Sequence, residues 1–166
     1  MTPGPSNIRE CPACKGPSAP VAADDRTVLY IDVDGVLQYV RDDRWAPRHD
    51  ATEFLEWALA RFRCRWLTSW RNPNETVPGE LGIRVPPGIE EVRWREAGPF
   101  PPFKAIAIRD DEDWLWVEDA PSTFDIDHLR ARGATNRLIR VDPLPPSVRQ
   151  TGVFERLERA SRVPPK

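Results

Sequence analysis

Two pairs of carboxylates stand where chemistry would need them. Asp32 and Asp34 lie in the stretch Thr27-Val-Leu-Tyr-Ile-Asp-Val-Asp-Gly-Val-Leu37, just after its apolar run, and Glu118 and Asp119 close Asp113-Trp-Leu-Trp-Val-Glu-Asp119. Like charges at such short spacing repel strongly. A cation, a shared proton or a phosphate-handling mechanism would offset that repulsion, whereas an acidic strand-to-loop turn would carry no chemistry at all. Gly35 permits the tight turn by which the chain leaves the first pair. A different chemistry is suggested by Cys11-Pro-Ala-Cys14, whose spacing suits half of a zinc knuckle. A closed zinc site takes four ligands, and only Cys64, His49 and His128 remain as soft candidates. A decayed zinc ribbon or a flexible tail is therefore the expectation there, and a redox role is weaker still.

The elements that must position these residues follow from patterning. Val28 to Ile31 is apolar and β-branched, which predicts a strand buried on both faces. Gln38 to Arg48 reads as a polar loop holding Trp45 and Pro47. Asp50 is placed as a helix N-cap, with Glu53 completing a capping box. Phe54, Leu55, Ala58, Leu59 and Phe62 share one face of a helix from Ala51 to about Phe62. Arg63 to Thr68 alternates as a second strand would, and a short helix is expected between Asn72 and Gly82. Glu91 to Trp94 reads as a third short strand. Gly98-Pro-Phe-Pro-Pro-Phe103 can be neither helix nor inner strand, because each proline removes a backbone donor; it delivers Lys104 at a helix start. Asp113 to Asp119 is a fourth strand. A helix follows from Pro121 to Arg132, on which solvent exposure or the helix dipole accounts for Asp125 and Asp127. Arg137 to Val141 is a fifth strand, and Gly152 to Arg162 a terminal helix with Phe154 and Leu157 inward.

Strand, crossover helix and strand imply parallel pairing. The expectation is an α/β fold: a three-layer, Rossmann-like, mostly parallel sheet with helices on both faces and no cap domain. In such sheets ligands bind beyond the carboxyl ends of the strands. Asp32, Asp34, Thr68 and Asp119 all fall at such ends, so they can converge although far apart in sequence.

Composition narrows the function classes. A chain of 166 residues supports one domain with a real core. Residues 1–25, rich in Pro, Gly, Ala and Ser, read as a flexible N-terminal segment and 26–166 as the folded domain. A net charge of -2 and a pI near 5.8 argue against a general polyanion binder, so nucleic acid is a possible partner without support from charge. No apolar run is long enough for a membrane span, and no signal-peptide core is recognisable. Three cysteines, an odd number, suggest reduced thiols; a cytoplasmic monomer is expected. The chain holds 21 arginines and 3 lysines, which makes Lys104 conspicuous.

The stretch Thr27 to Leu37 resembles the first motif of the haloacid-dehalogenase-like (HAD) hydrolases, in which hydrophobic residues precede Asp-x-Asp-Gly-x-Leu. The resemblance extends in order to about Arg162. It implies a magnesium-dependent phosphatase working through an aspartyl-phosphate, with a phosphorylated substrate. By it, Asp32 is the nucleophile and Asp34 the general acid and base. Thr68, with Ser69 as the adjacent alternative, holds a phosphate oxygen, and Lys104 neutralises the phosphate and nucleophile. Magnesium falls to the carboxylates of Asp32 and Asp119 and the backbone carbonyl of Asp34. Glu118 departs from the commoner Asp and is placed behind the ligands. Capless members often act on macromolecular phosphates, including phosphoproteins and nucleic-acid ends; Trp45, Trp70, Arg71 and Trp94 could flank such a site, although tryptophans more often pack cores and loops. The alternative is a HAD-like binding or regulatory module without turnover, against which retained Asp34 argues.

Overall fold

The computed structural model describes residues 24–96 and 103–162. Strand β1 (Val28–Ile31) is wholly buried. It pairs in parallel with β4 (Arg63–Trp66) on one side and β6 (Trp114–Glu118) on the other, so Ile31 lies opposite both Trp66 and Val117. The edge strands are short: β5 (Glu90–Glu91) beyond β4 and β7 (Leu138–Arg140) beyond β6. The sheet order is β5-β4-β1-β6-β7, all parallel.

Successive β1 side chains point to opposite faces, and each face has its own core. Leu29 and Ile31 pack with Phe54 and Leu55 of α1 (Ala51–Leu59), Val77 of α2 (Pro73–Leu81) and Phe154 and Leu157 of α4 (Val153–Ser161). Val28 and Tyr30 pack with Trp114, Trp116, Ala105 and Leu129 of α3 (Thr123–Ala131). Helices thus cover both faces, and the fold is the three-layer, Rossmann-like α/β arrangement expected. No cap domain is inserted among the described residues. No described helix is long and apolar enough to cross a membrane. Cys11 and Cys14 lie outside the described residues, as do residues 97–102 of the proline-rich approach to Lys104. Cys64, one of the remaining soft zinc candidates, is a free thiol buried in the core.

Several expectations need correction. Gln38 to Arg48 is mostly not a loop but an antiparallel hairpin, β2 (Gln38–Arg41) with β3 (Arg44–Pro47). Its turn is Asp42-Asp43, both at positive φ (50° and 58°), a conformation short acidic side chains tolerate and that suits a two-residue hairpin turn. Asp50 occupies the N-cap position of α1 but makes no cap hydrogen bond. Its carboxylate instead accepts from the Ser147 hydroxyl (2.7 Å) and the amides of Val148 (2.7 Å) and Arg149 (3.1 Å), tying α1 to the loop after β7. Glu53 completes no capping box and pairs with Arg149. The third strand lies at Glu90–Glu91, ahead of Trp94, which begins a 3-10 turn. Lys104 opens a four-residue 3-10 turn. Asp125 is buried, not solvated: it forms the α3 capping box with Ser122 and accepts the Ala105 amide (2.7 Å). Asp127 is exposed, beside Arg130.

Candidate active site

The carboxylates and Thr68 are delivered by the ends of parallel strands or the turns after them, and Lys104 by the 3-10 turn that precedes β6. The Asp32 amide donates to the Val117 carbonyl (3.2 Å), which sets the residue after β1 beside the end of β6. On the other side the Leu67 amide donates to the Ile31 carbonyl (2.9 Å), so Thr68 follows directly beyond the same edge. Asp32 is 3 % exposed and Glu118 2 %, which makes both carboxylates dependent on internal partners.

Lys104 is the main such partner. Its Nζ donates to Asp32 Oδ2 (2.6 Å) and to Glu118 Oε2 (2.7 Å). Burial would lower the lysine pKa, but the charges of Asp32 and Glu118 outweigh it and hold the ammonium form firmly. The turn that carries Lys104 is fixed from behind, because Asp125 accepts the next amide. Carboxylate oxygens of Asp32, Glu118 and Asp119 all lie within 4.8 Å of one another. Burial, then the charge of Asp32, push the carboxyl groups of Glu118 and Asp119 above their ordinary range; Lys104 opposes this without cancelling it.

The donor set fits a hard divalent cation. It consists only of oxygens, and Asp32 Oδ1 is buried with no hydrogen-bond partner, which is rare for a native polar atom unless something else satisfies it. Glu118 belongs to this cluster as fully as Asp119 does. The Asp34 side chain does not: its Oδ1 accepts from Trp70 Nε1 (3.0 Å) and from Gln38 Nε2, leaving Oδ2 unengaged by those donors.

The turn between the carboxylates is tightly built. Gly35 has φ +68°, and a Cβ there would lie 2.1 Å from Cγ of Asp119. Its carbonyl accepts from Arg48 Nη2 (2.8 Å), a guanidinium buried to 2 % exposure that also serves the carbonyls of Asp142 (2.8 Å), Ser147 (3.2 Å) and Pro145. Burial lowers the Arg48 pKa, partly offset by Asp50, Asp142 and Asp119. Thr68 is buried; its hydroxyl accepts the Trp70 amide (3.3 Å) and its carbonyl accepts Trp94 Nε1 (2.6 Å). Ser69 is exposed beside it.

No protein-family model matches the chain, and a search of curated proteins finds no match. The geometry of the site brings Asp32, Glu118, Asp119 and Lys104 into one cluster; Asp34 and Thr68 are joined to each other through Trp70, and Ser69 is exposed next to Thr68. Sequence reasoning missed Arg48, Gln38 and the Asp125–Ala105 link. Arginine reads as a surface residue, so nothing marked Arg48; Ser122 three residues before Asp125 marks the helix cap, but not the long-range bond to Ala105.

Proposed function

We propose that this chain is a magnesium-dependent phosphohydrolase of the HAD-like type, cleaving phosphoric monoesters through a phosphoryl group carried on Asp32. The observation that carries the reading is the buried cluster of Asp32, Glu118, Asp119 and Lys104 at the carboxyl edge of the sheet, with Asp32 Oδ1 left without a partner. A divalent ion held by the carboxylates of Asp32 and Asp119 and the backbone carbonyl of Asp34 would supply positive charge to the phosphoryl oxygens. Lys104, donating to Asp32 Oδ2, orients the carboxylate for its role as nucleophile. A carboxylate oxygen of Asp32 attacks phosphorus and the bond to the leaving oxygen breaks. Asp34 gives that oxygen its proton; two donors fix Oδ1, which leaves Oδ2 to carry it. Water then attacks the same phosphorus, Asp34 takes its proton, and the bond to Asp32 breaks. The Thr68 hydroxyl, or that of Ser69, and Lys104 steady the transferring group.

The proposed substrate is a phosphorylated macromolecule, a phosphoprotein or a nucleic-acid end, met by the chain as a monomer. The free, buried thiol of Cys64 accords with a reducing compartment, and we place the chain in the cytoplasm. The test is hydrolysis of p-nitrophenyl phosphate by the full-length protein. Turnover should require magnesium, vanish in excess chelator and vanish in Asp32→Asn. Undiminished turnover in chelator would refute the metal-dependent mechanism. Phosphate binding without turnover of any ester would make the chain a binding module instead.

A further inference from the structure

Beside the carboxylate cluster, at the ends of β4 and β5, lies a cavity of about 490 Å³ that shares Thr68 and Ser69 with the site above. Its size falls within the roughly 300–1,000 Å³ of small-molecule sites. Three indoles line it: Trp66, which is buried, and the more open Trp70 and Trp94, both fixed by their N–H edges, Trp70 on Asp34 Oδ1 and Trp94 on the Thr68 carbonyl. Flat π surfaces held this way lose little freedom when a ring stacks on them. Arg95 lies over the Trp94 ring, its Cζ 5.4 Å from the centroid, which adds a cation to that wall. Arg71 and Arg93 complete the charge, with Glu91 the one acidic residue of the lining. All three arginines are exposed, and none has a carboxylate partner among the described residues. The first turn of α2, at Asn72 and Pro73, also faces the cavity and brings the positive end of a helix. The chain as a whole is acidic, so this is a local reversal of sign.

We propose that this cavity is the leaving-group subsite and that it takes a nucleotide at the phosphorylated end of a nucleic-acid strand. The inference rests on the phosphohydrolase reading for its orientation: with the ester phosphate at Thr68, the attached nucleoside must lie over Trp70 and Trp94. The base meets an indole face, and the next phosphate along the strand meets Arg71 and Arg93. Planar guanidinium groups match phosphate oxygens, and base–indole stacking works for any base. A phosphopeptide would use the arginines but bring no flat ring to the indoles.

The experiment uses the full-length Asp32→Asn protein with magnesium, which should retain ligand, and fluorescence anisotropy of a labelled single-stranded oligonucleotide ending in a phosphate. The terminally phosphorylated strand should bind at least tenfold more tightly than a phosphopeptide of similar charge. Arg93→Ala should weaken it about tenfold or more and lower the slope of log affinity against log salt by roughly 0.7. Trp94→Leu should weaken it, and Trp94→Phe, which keeps a flat ring but loses the bond to Thr68, should recover most of the loss. A competing nucleoside monophosphate that binds as well as the strand would point to free nucleotides and overturn the strand end as ligand. A phosphopeptide bound more tightly, or strand binding indifferent to Arg93→Ala and Trp94→Leu, would overturn the proposal outright. Wild-type turnover of p-nitrophenyl phosphate without strand binding leaves the phosphohydrolase reading standing and removes this one; strand binding without turnover of any ester removes the phosphohydrolase reading and overturns the cavity as a leaving-group subsite, leaving only a strand-end binding site.

Discussion

Replacing Gly35 with alanine would test how the turn after β1 and the end of β6 share space. The added Cβ would lie 2.1 Å from Cγ of Asp119, 2.2 Å from its Oδ2 and 2.5 Å from its Cβ. Ordinary contact begins at 3.4 Å, so the carboxyl carbon must retreat by about 1.3 Å. Rotating the Asp119 side chain cannot achieve this, because its Cβ is itself too close; the backbone after β6 has to shift. The left-handed conformation at φ +68° adds strain of about 1–2 kcal/mol for any residue with a Cβ. Gly133→Ala supplies the reference, since Gly133 has φ +63° but nothing within 4 Å of its added Cβ. Gly133→Ala should lose about 1–2 kcal/mol in urea unfolding and keep its turnover. In Gly35→Ala, turnover should fall about 100-fold, the usual cost of a misplacement near 1 Å at a reacting centre. Magnesium affinity, followed by titration calorimetry, should fall with it. If Gly35→Ala matched Gly133→Ala in turnover and magnesium affinity, the contact between this turn and Asp119 would not matter as argued.

The proposed division of labour between the two aspartates predicts that Asp34→Asn gives a pre-steady-state burst of nitrophenolate followed by slow turnover, because that leaving group needs no proton while hydrolysis of a phosphorylated Asp32 would still need a base. Stopped-flow absorbance reads it; absence of a burst, with magnesium binding intact, would contradict the assignment. Thr68→Val, which removes a buried hydroxyl at nearly constant shape, should lower turnover by about 100-fold and more than Ser69→Ala does, and the reverse ranking would move the phosphate contact to Ser69. For Asp50, burial alone would raise the pKa, but the donors from Ser147, Arg149 and Val148 outweigh it and the folded value is lowered. Its contribution to stability is therefore present above the ordinary value of 3.8 and lost as pH falls through the lowered folded value; Asp50→Asn should flatten the acid limb of stability measured by urea unfolding between pH 5 and pH 2.

β1 and β6 were legible because they are buried on both faces, and a run such as Val28 to Ile31 admits few other readings; β4, half-buried at Arg63 and Arg65, showed through its alternation instead. The amphipathic face of α1 and the glycine stop of α2 at Gly82, with φ +64°, were equally plain. The hairpin was not, since most of its strand residues are at least partly exposed and their polar character reads as loop. Asp42-Asp43 was the one available signal, and two aspartates at positive φ are a weaker turn mark than a glycine. Asp50 misled because an N-cap residue normally turns inward on its own helix, whereas three donors from the loop after β7 compete for it and win. Asp125 misled for the opposite reason. It is a genuine capping residue, but the 3-10 turn at Lys104 packs over it and takes it out of solvent. Both errors concern long-range partners, which local patterning does not contain.

The charge balance of the cluster bears on the proposed ion. Three carboxylates, Asp32, Glu118 and Asp119, face a single lysine, and Lys104 bridges the first two while Asp119 stands outside the bridge. Arg48, buried as well, directs its guanidinium to backbone carbonyls rather than to any of them. Burial and the charge of Asp32 push the Glu118 and Asp119 carboxyls up, and ionising all three groups together would create a buried excess of negative charge, which is costly in itself. It would also repel a phosphate monoester, which is itself an anion, before any chemistry began. Lysine alone therefore accounts for holding Asp32 and Glu118 but not for admitting the proposed substrate. A divalent ion between Asp32 and Asp119 would reverse the sign where the proposed phosphoryl group would sit, and it would do so at Asp32 Oδ1, the one buried side-chain oxygen among the described residues that has no partner. The exposed arginines at the mouth of the neighbouring cavity extend that positive field outward, so an anion approaching along Arg71 and Arg93 meets attraction before it meets the carboxylates.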